Sequence, residues 1–242
     1  MTRRRWIADE VNGNVAALTG EHAAHLSRVL RAQIGQEFDI ATGDAVRLGT
    51  IISIADTRVE FALGEEVAVK PSAEVTLVLA VFKFDRMEWA IEKCTEIGVA
   101  RMIPVIARRT DAHLAGAAAK RHERWLRIAR SAAEQSRRTA PPEILAPIKL
   151  KELGNAGVGP APNARMPRVV LAESEANVSL REVVPPSASE AWLAVGPEGG
   201  WTDDELAWFR ESGWTAASLG QTILRAETAA IVASALALDA MR

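Results

Sequence analysis

An α/β domain with a mainly parallel sheet, preceded by a small β-barrel, is the fold class this 242-residue sequence predicts. Three observations predict it. The run Val75-Thr-Leu-Val-Leu-Ala-Val-Phe82 is continuously apolar, the mark of a strand buried on both faces. After it, strand-like and helix-like runs alternate to the end of the chain. Before it, residues 1–70 hold short β-type runs at close spacing, the pattern of a small barrel. The expected domains are therefore 1–70 and 74–242, with Pro71 in the linker.

In the first domain, His22 to Arg31 places apolar residues at 23, 26, 29 and 30 on one side and predicts a helix. Strands follow at 37–40, 46–54 and 58–62, punctuated by Gly35, Gly43, Asp44, Asp56 and Gly64. In the second, residues 75–82 form a strand. Residues 87–98 form a helix, apolar at 87, 90, 91, 94 and 97 and ended by Gly98. Residues 101–107 are strand-like, and Pro104 places them near a sheet edge or a strand end. Residues 117–136 read as a long helix with Trp125, Ile128, Ala129, Ala132 and Ala133 inward. Residues 150–168, rich in Gly, Pro and Asn, read as loop. Strands are expected at 169–172, 191–195 and 216–219, and helices at 202–213 and 226–240. Thr202 with Glu205 forms a capping box.

The chain carries a net charge of −2, unevenly spread. Residues 101–150 hold eleven Lys/Arg against four Asp/Glu, whereas residues 169–242 hold four against eleven. A basic middle in an acidic protein fits either a polyanion contact or a solvated helix face. The single cysteine, Cys94, excludes a disulfide framework and a thiolate metal cluster. His22 and His25 have no evident third ligand, so no metal is expected. No apolar stretch follows the first residues, and no run approaches a membrane span. A cytoplasmic protein without membrane contact is the expectation.

Ligands of open α/β sheets bind beyond the C-terminal ends of strands. Three loops qualify: Ala172-Glu173-Ser174, Gly196 to Gly200, and Leu219 to Arg225. Gly196, Gly199 and Gly200 let the backbone approach a ligand, and Pro197 stiffens the turn. Peptide groups of the third loop can read an adenine edge, with Leu219, Ile223 and Leu224 as an apolar wall. The phosphate-loop pattern G-x-x-x-x-G-K-[ST] and the dinucleotide pattern G-x-G-x-x-G are both absent.

Val195-Gly-Pro-Glu-Gly-Gly-Trp-Thr-Asp-Asp-Glu205 and Leu219-Gly-x-x-Ile-Leu-Arg-x-Glu-Thr-Ala229 together resemble the 16S rRNA uracil-N3 methyltransferase family of the SPOUT, or trefoil-knot, class. The likeness continues upstream in the same order. Lys83-x-x-Arg-Met-Glu-x-x-Ile-x-Lys-x-Thr-Glu-Ile-Gly98 resembles the family's first strand-helix segment, and Pro104 through Arg109-Thr110 its next strand and loop. Trp125-x-x-Ile-Ala-x-x-Ala-x-Glu-Gln-Ser-x-Arg138 with Pro142-Glu-Ile144 resembles its long helix, and His25-Leu-x-x-Val-Leu-Arg31 part of its N-terminal PUA-like barrel. Arg137 stands where relatives often carry a small residue.

The resemblance implies a deep trefoil knot, a PUA-like RNA-binding barrel and a homodimer. It implies methyl transfer from S-adenosylmethionine to N3 of one uridine in the decoding region of 16S rRNA, on the small ribosomal subunit, leaving S-adenosylhomocysteine. The implied cofactor contacts are Leu171, Ala172, Glu173, Val195, Gly196, Pro197, Glu198, Gly199, Leu219, Gly220, Ile223, Leu224, Arg225 and Thr228. A sulfonium methyl needs no metal, but the N3 proton must leave, by a base or with a group that stabilises the uracil anion. Arg225 is the first candidate for the latter, with capping or a dimer contact as its other reading; Glu198 and Glu227 are base candidates or backbone supports. Arg28, Arg31, Lys83, Arg109, Lys120, Arg124, Arg127 and Arg138 are candidate RNA contacts, and Trp6 and Trp201 candidate stacking residues. Ribose 2′-O-methylation and a non-catalytic RNA-binding assembly factor are the alternatives.

Overall fold

The computed structural model describes residues 4–43, 45–68, 73–155, 158–159, 166–175 and 177–242. Pro71, expected in the linker, and Asp44 lie outside these residues, as does much of the stretch expected as loop between 150 and 168. The chain divides into two compact units, Met1–Pro71 with Ala133–Pro141 and Ser72–Ala132 with Pro142–Arg242. The return of 133–141 to the first unit has no counterpart in the sequence pattern, because the periodicity of the long helix runs straight through residue 132.

The first unit is a six-stranded sheet built from β1 (Arg5–Ile7), β2 (Glu10–Asn12), β3 (Val15–Thr19), β4 (Glu37–Ala41), β5 (Val46–Ala55) and β6 (Arg58–Glu66), ordered β1-β4-β5-β6-β3-β2. All neighbours are antiparallel except β1 and β4. Between β3 and β4, a helix α1 (Gly20–Ala24) continues as a π-turn over His25–Val29. Leu18, Leu26, Ile40, Ile51 and Phe61 fill the core of this unit.

The second unit carries a seven-stranded parallel sheet. In chain order its elements are β7 (Glu74–Ala80), α2 (Phe84–Ile97), β8 (Arg101–Ile106), α3 (Ala112–Gln135, whose last turn belongs to the first unit), β9 (Glu143–Ile144) and β10 (Ile148–Lys149). Then follow β11 (Arg168–Leu171), α4 (Leu180–Val183), β12 (Glu190–Val195), α5 (Asp203–Glu211), β13 (Thr215–Ala217) and α6 (Ala226–Ala240). The strand order is β10-β8-β7-β12-β11-β13, with β9 beside β8. Val75, Leu77 and Leu79 of β7 enter one core with Met87, Ile91, Trp125 and Ala233, while Val78 and Ala80 enter the other with Trp192, Phe209 and Trp214. Burial on both faces is why β7 reads as an unbroken apolar run. Gly98 ends α2 in the left-handed conformation, φ 118°, and its N–H donates to Cys94 O.

Pro104 departs from expectation. It sits inside β8, opposite Leu79 of β7, and β8 is not at the edge. Along β8, Val105 O accepts from Val81 on the β7 side, and Met102 O accepts from Leu145 on the other. Residue 104 therefore faces the same side as Met102. There, β9 pairs only with Arg101 and Met102, and β10 only with Val105 and Ile106. The N–H that proline lacks falls in the gap between two short strands.

Candidate functional site: a main-chain cleft beyond three adjacent strands

Strands β12, β11 and β13 are neighbours and parallel, so their C-terminal ends lie side by side. The loops that leave them, 171–175, 195–201 and 217–226, wall an open cleft of about 590 Å³, within the range of small-molecule sites. Every expected cofactor contact lies in this wall except Thr228. Helix α6 lines the cleft with Ala226 and Ala229. Thr228, next to Ala229 and half-buried, is not among the residues that line it.

Each loop has a local reason for its shape. A Cβ on Gly196 would stand 3.2 Å from Trp201 Nε1, tighter than an ordinary contact, so a side chain there would push on the indole that closes over the strand end. Gly220 takes φ +128°, which side-chain-bearing residues rarely adopt, and a Cβ there would meet no atom within 4 Å. Among the described residues, no backbone hydrogen bond engages the N–H groups of Leu219 through Leu224. Exposed peptide groups facing a cleft are free to bond a ligand. Thr202 and Glu205 form the expected capping box: Thr202 N–H donates to Glu205 Oε2 (2.9 Å), and Glu205 N–H donates to Thr202 Oγ1 (3.3 Å). Glu205 Oε1 also accepts from Arg108 N–H at 2.7 Å, tying the loop after β8 to α5.

The charged groups divide by role. Arg225 occupies the N-cap position of α6, is exposed, lines the cleft and donates no side-chain hydrogen bond among the described residues. Glu198 accepts from Arg86 Nη1 at 3.1 Å. Arg86 Nε also stands 3.8 Å from Glu227 Oε1, and Glu227 is 5% exposed. Arg86 lines the cleft, yet no residue-type argument singled it out; the only signal was its place in the Lys83-x-x-Arg segment. Arg109 donates to Gly199 O (2.8 Å) and Trp201 O (3.2 Å), so it braces the loop as well as carrying charge.

The other basic candidates lie in both units. Lys83, Lys120, Arg124 and Arg127 are exposed in the second unit; Arg124 shares Glu88 with Arg121, at 2.8 and 3.6 Å. Arg28 and Arg31 are exposed in the first unit, and Arg28 pairs with Asp56 at 3.3 Å. Arg138 is partly buried in the first unit, and loss of solvent lowers its pKa below the usual guanidinium value. Trp6 and Trp201 are buried, which is at odds with a stacking role for either ring as it stands. Among the described residues there is no cluster of His, Cys, Asp or Glu suited to a metal, and no helix long and apolar enough to cross a membrane.

A parallel sheet with a main-chain cleft beyond its strand ends is a ligand-binding α/β domain, and residues 69–238 match the family model of an RNA methyltransferase domain. A ribosomal RNA small subunit methyltransferase E from Mycobacterium bovis is 33% identical over 233 residues, covering 91% of this chain and 85% of the relative. The chain belongs to the ribosomal RNA small subunit methyltransferase E family. Among solved structures, the family's Neisseria gonorrhoeae protein bound to S-adenosylmethionine superposes with a TM-score of 0.82 at 29% identity, covering 96% of this chain and 95% of that one. A Legionella pneumophila methyltransferase, also solved with S-adenosylmethionine, gives 0.82 at 27% identity, covering 99% and 98%.

Proposed function

We propose that the protein is an S-adenosylmethionine-dependent methyltransferase of small-subunit ribosomal RNA, acting on N3 of one uridine in the decoding region of 16S rRNA. The observation that carries this reading is the cleft. Its peptide groups at 219–224 are free of backbone partners, its strand ends are glycine-lined, and structures at 27–29% identity hold the cofactor. The residues present fit such a ligand: polar main chain for an adenine edge, Leu219 and Leu224 for its ring, and Glu173, Glu198 and Asp203 as acidic groups for a cationic ligand.

When bound, S-adenosylmethionine supplies an electrophilic sulfonium methyl, and S-adenosylhomocysteine is left. The chain's own part is to place the uracil in line and to help its N3 proton leave. Arg225, exposed at the cleft without an ion-pair partner among the described residues, is suited to stabilise negative charge on a uracil oxygen. Glu198 lines the same cleft and is the candidate base, with its carboxylate oriented by Arg86. No metal is required. Exposed Lys83, Arg109, Lys120, Arg124 and Arg127, together with Arg28 and Arg31 on the first unit, supply phosphate contacts.

The trefoil knot, the PUA-like barrel, a homodimer and a cytoplasmic setting belong to the same reading. The strand order of the parallel sheet and the mostly antiparallel six-stranded sheet are compatible with the first two. Helix α6 supports the third: Ile231, Val232 and Leu236 remain partly exposed between its buried positions, an apolar surface suited to a second copy. Incubation with labelled S-adenosylmethionine and unmodified small subunits, followed by nucleoside analysis, tests the proposal. It is expected to label a single uridine as 3-methyluridine. No incorporation, or a ribose-methylated product, refutes it.

A further inference from the structure

Arg86 joins parts of the chain that lie 112 residues apart by its bond to Glu198, and reaches still further to Glu227. It leaves the first turn of α2, the helix that packs on α6, and its guanidinium opens into the cleft. On one side it donates to Glu198, in the Gly-Pro-Glu-Gly-Gly loop after β12. On the other it approaches Glu227 in the first turn of α6. Glu227 is almost fully buried, and its Oε2 has no hydrogen-bond partner. A buried carboxylate is unfavourable unless a cation stays close. The same loop is braced from its other side by Arg109, which holds the Gly199 and Trp201 carbonyls. Two arginines from two different elements thus fix one loop, and only Arg86 also reaches the helix that completes the opposite wall.

We propose that Arg86 is a positioning residue: its guanidinium holds the 196–201 loop in register with the start of α6, and so sets the width of the cleft and the affinity for the cofactor. A fork is needed because two carboxylates approach from different directions, which a lysine ammonium serves less well. The proposal rests on the cofactor reading above, so the test has one arm that needs no ligand.

In ligand-free protein, hydrogen exchange of a peptide spanning 196–201 is expected to quicken in Arg86→Gln by about tenfold while strands β7 and β12 stay protected. Glu198→Gln, a near-isosteric change at a side chain that is 40% exposed, is expected to quicken the same peptide. In a titration with S-adenosylhomocysteine, Arg86→Gln is expected to weaken binding about tenfold, with a matching rise in KM. Arg86→Lys is expected to recover part of that loss. The loss in the double variant Arg86→Gln/Glu198→Gln is expected to fall well short of the product of the two single losses, because the bond between them is shared. Unchanged exchange at 196–201, or effects of the two substitutions that multiply, overturns the proposal. Wild-type affinity in Arg86→Gln overturns it while sparing the cofactor assignment; a wild-type protein that binds no S-adenosylhomocysteine overturns both.

Discussion

Gly220→Val separates the backbone from the ligand at the centre of the cleft. Position 220 holds φ +128°, so any side chain there is strained, by about 1–3 kcal/mol. The ligand-free protein otherwise has room, since an ideal Cβ meets nothing within 4 Å. The valine methyls would therefore project into open space beside the peptide groups of 219–224, where the adenine is proposed to lie. Losing even one base hydrogen bond together with ring contact corresponds to about 3 kcal/mol, or a weakening on the order of 100-fold. The assay is calorimetric titration with S-adenosylhomocysteine, paired with a denaturant midpoint for each variant. Gly220→Ala shares the strain but adds a single methyl. The two variants are expected to lose similar stability while Val loses much more affinity than Ala. Binding within threefold of wild type by folded Gly220→Val refutes the placement; equal losses of affinity in Ala and Val attribute the effect to strain rather than occlusion.

Three further outcomes follow from the same geometry. Arg225→Ala is expected to lower kcat about 100-fold, as for loss of one charge-stabilising group, with S-adenosylhomocysteine affinity little changed; a collapse of affinity in single-turnover and titration experiments assigns Arg225 to structure instead. Glu205→Ala removes the capping box and the Arg108 bond, and is expected to lower unfolding free energy by about 2 kcal/mol in a denaturant titration. Cys94 is fully buried, and burial raises its thiol from 9.0 to about 12. Below the unfolded value both states keep the proton; as pH rises above it, only the unfolded chain releases it, so stability is lost between about 9 and 12. Native protein is expected to resist thiol reagents at pH 8 and to react once denatured, and a Cys94→Ala variant is expected to lose that part of the alkaline sensitivity.

The parts legible in sequence were those with local causes. Val75–Phe82 announces a strand buried on both faces, Gly98 a left-handed cap, Thr202 with Glu205 a capping box, and the glycines at 196 and 220 a backbone-lined cleft. The parts not legible depend on partners distant in the chain. Strands β9 and β10 are two residues each, too short for any periodicity, so the gap that accommodates Pro104 could not be foreseen. Glu10–Asn12 is wholly exposed and three residues long, so no apolar alternation marks β2 in the sequence. Arg109 reads from sequence as an RNA contact and Arg86 only as part of a longer segment; their bonds to the 196–201 loop depend on residues about 90 and 112 positions away.

The three loops that wall the cleft, with the start of α6, come from residues 171–229, while Arg86 and Arg109 reach it from earlier in the chain. Helix α6, which supplies Ala226 and Ala229 to the cleft, also packs on α2, the first helix after β7. One wall of the cleft is thus tied to an element far from it in sequence. A ligand held against α6 is expected to slow local opening of α2 as well, which hydrogen exchange along 84–97 would show.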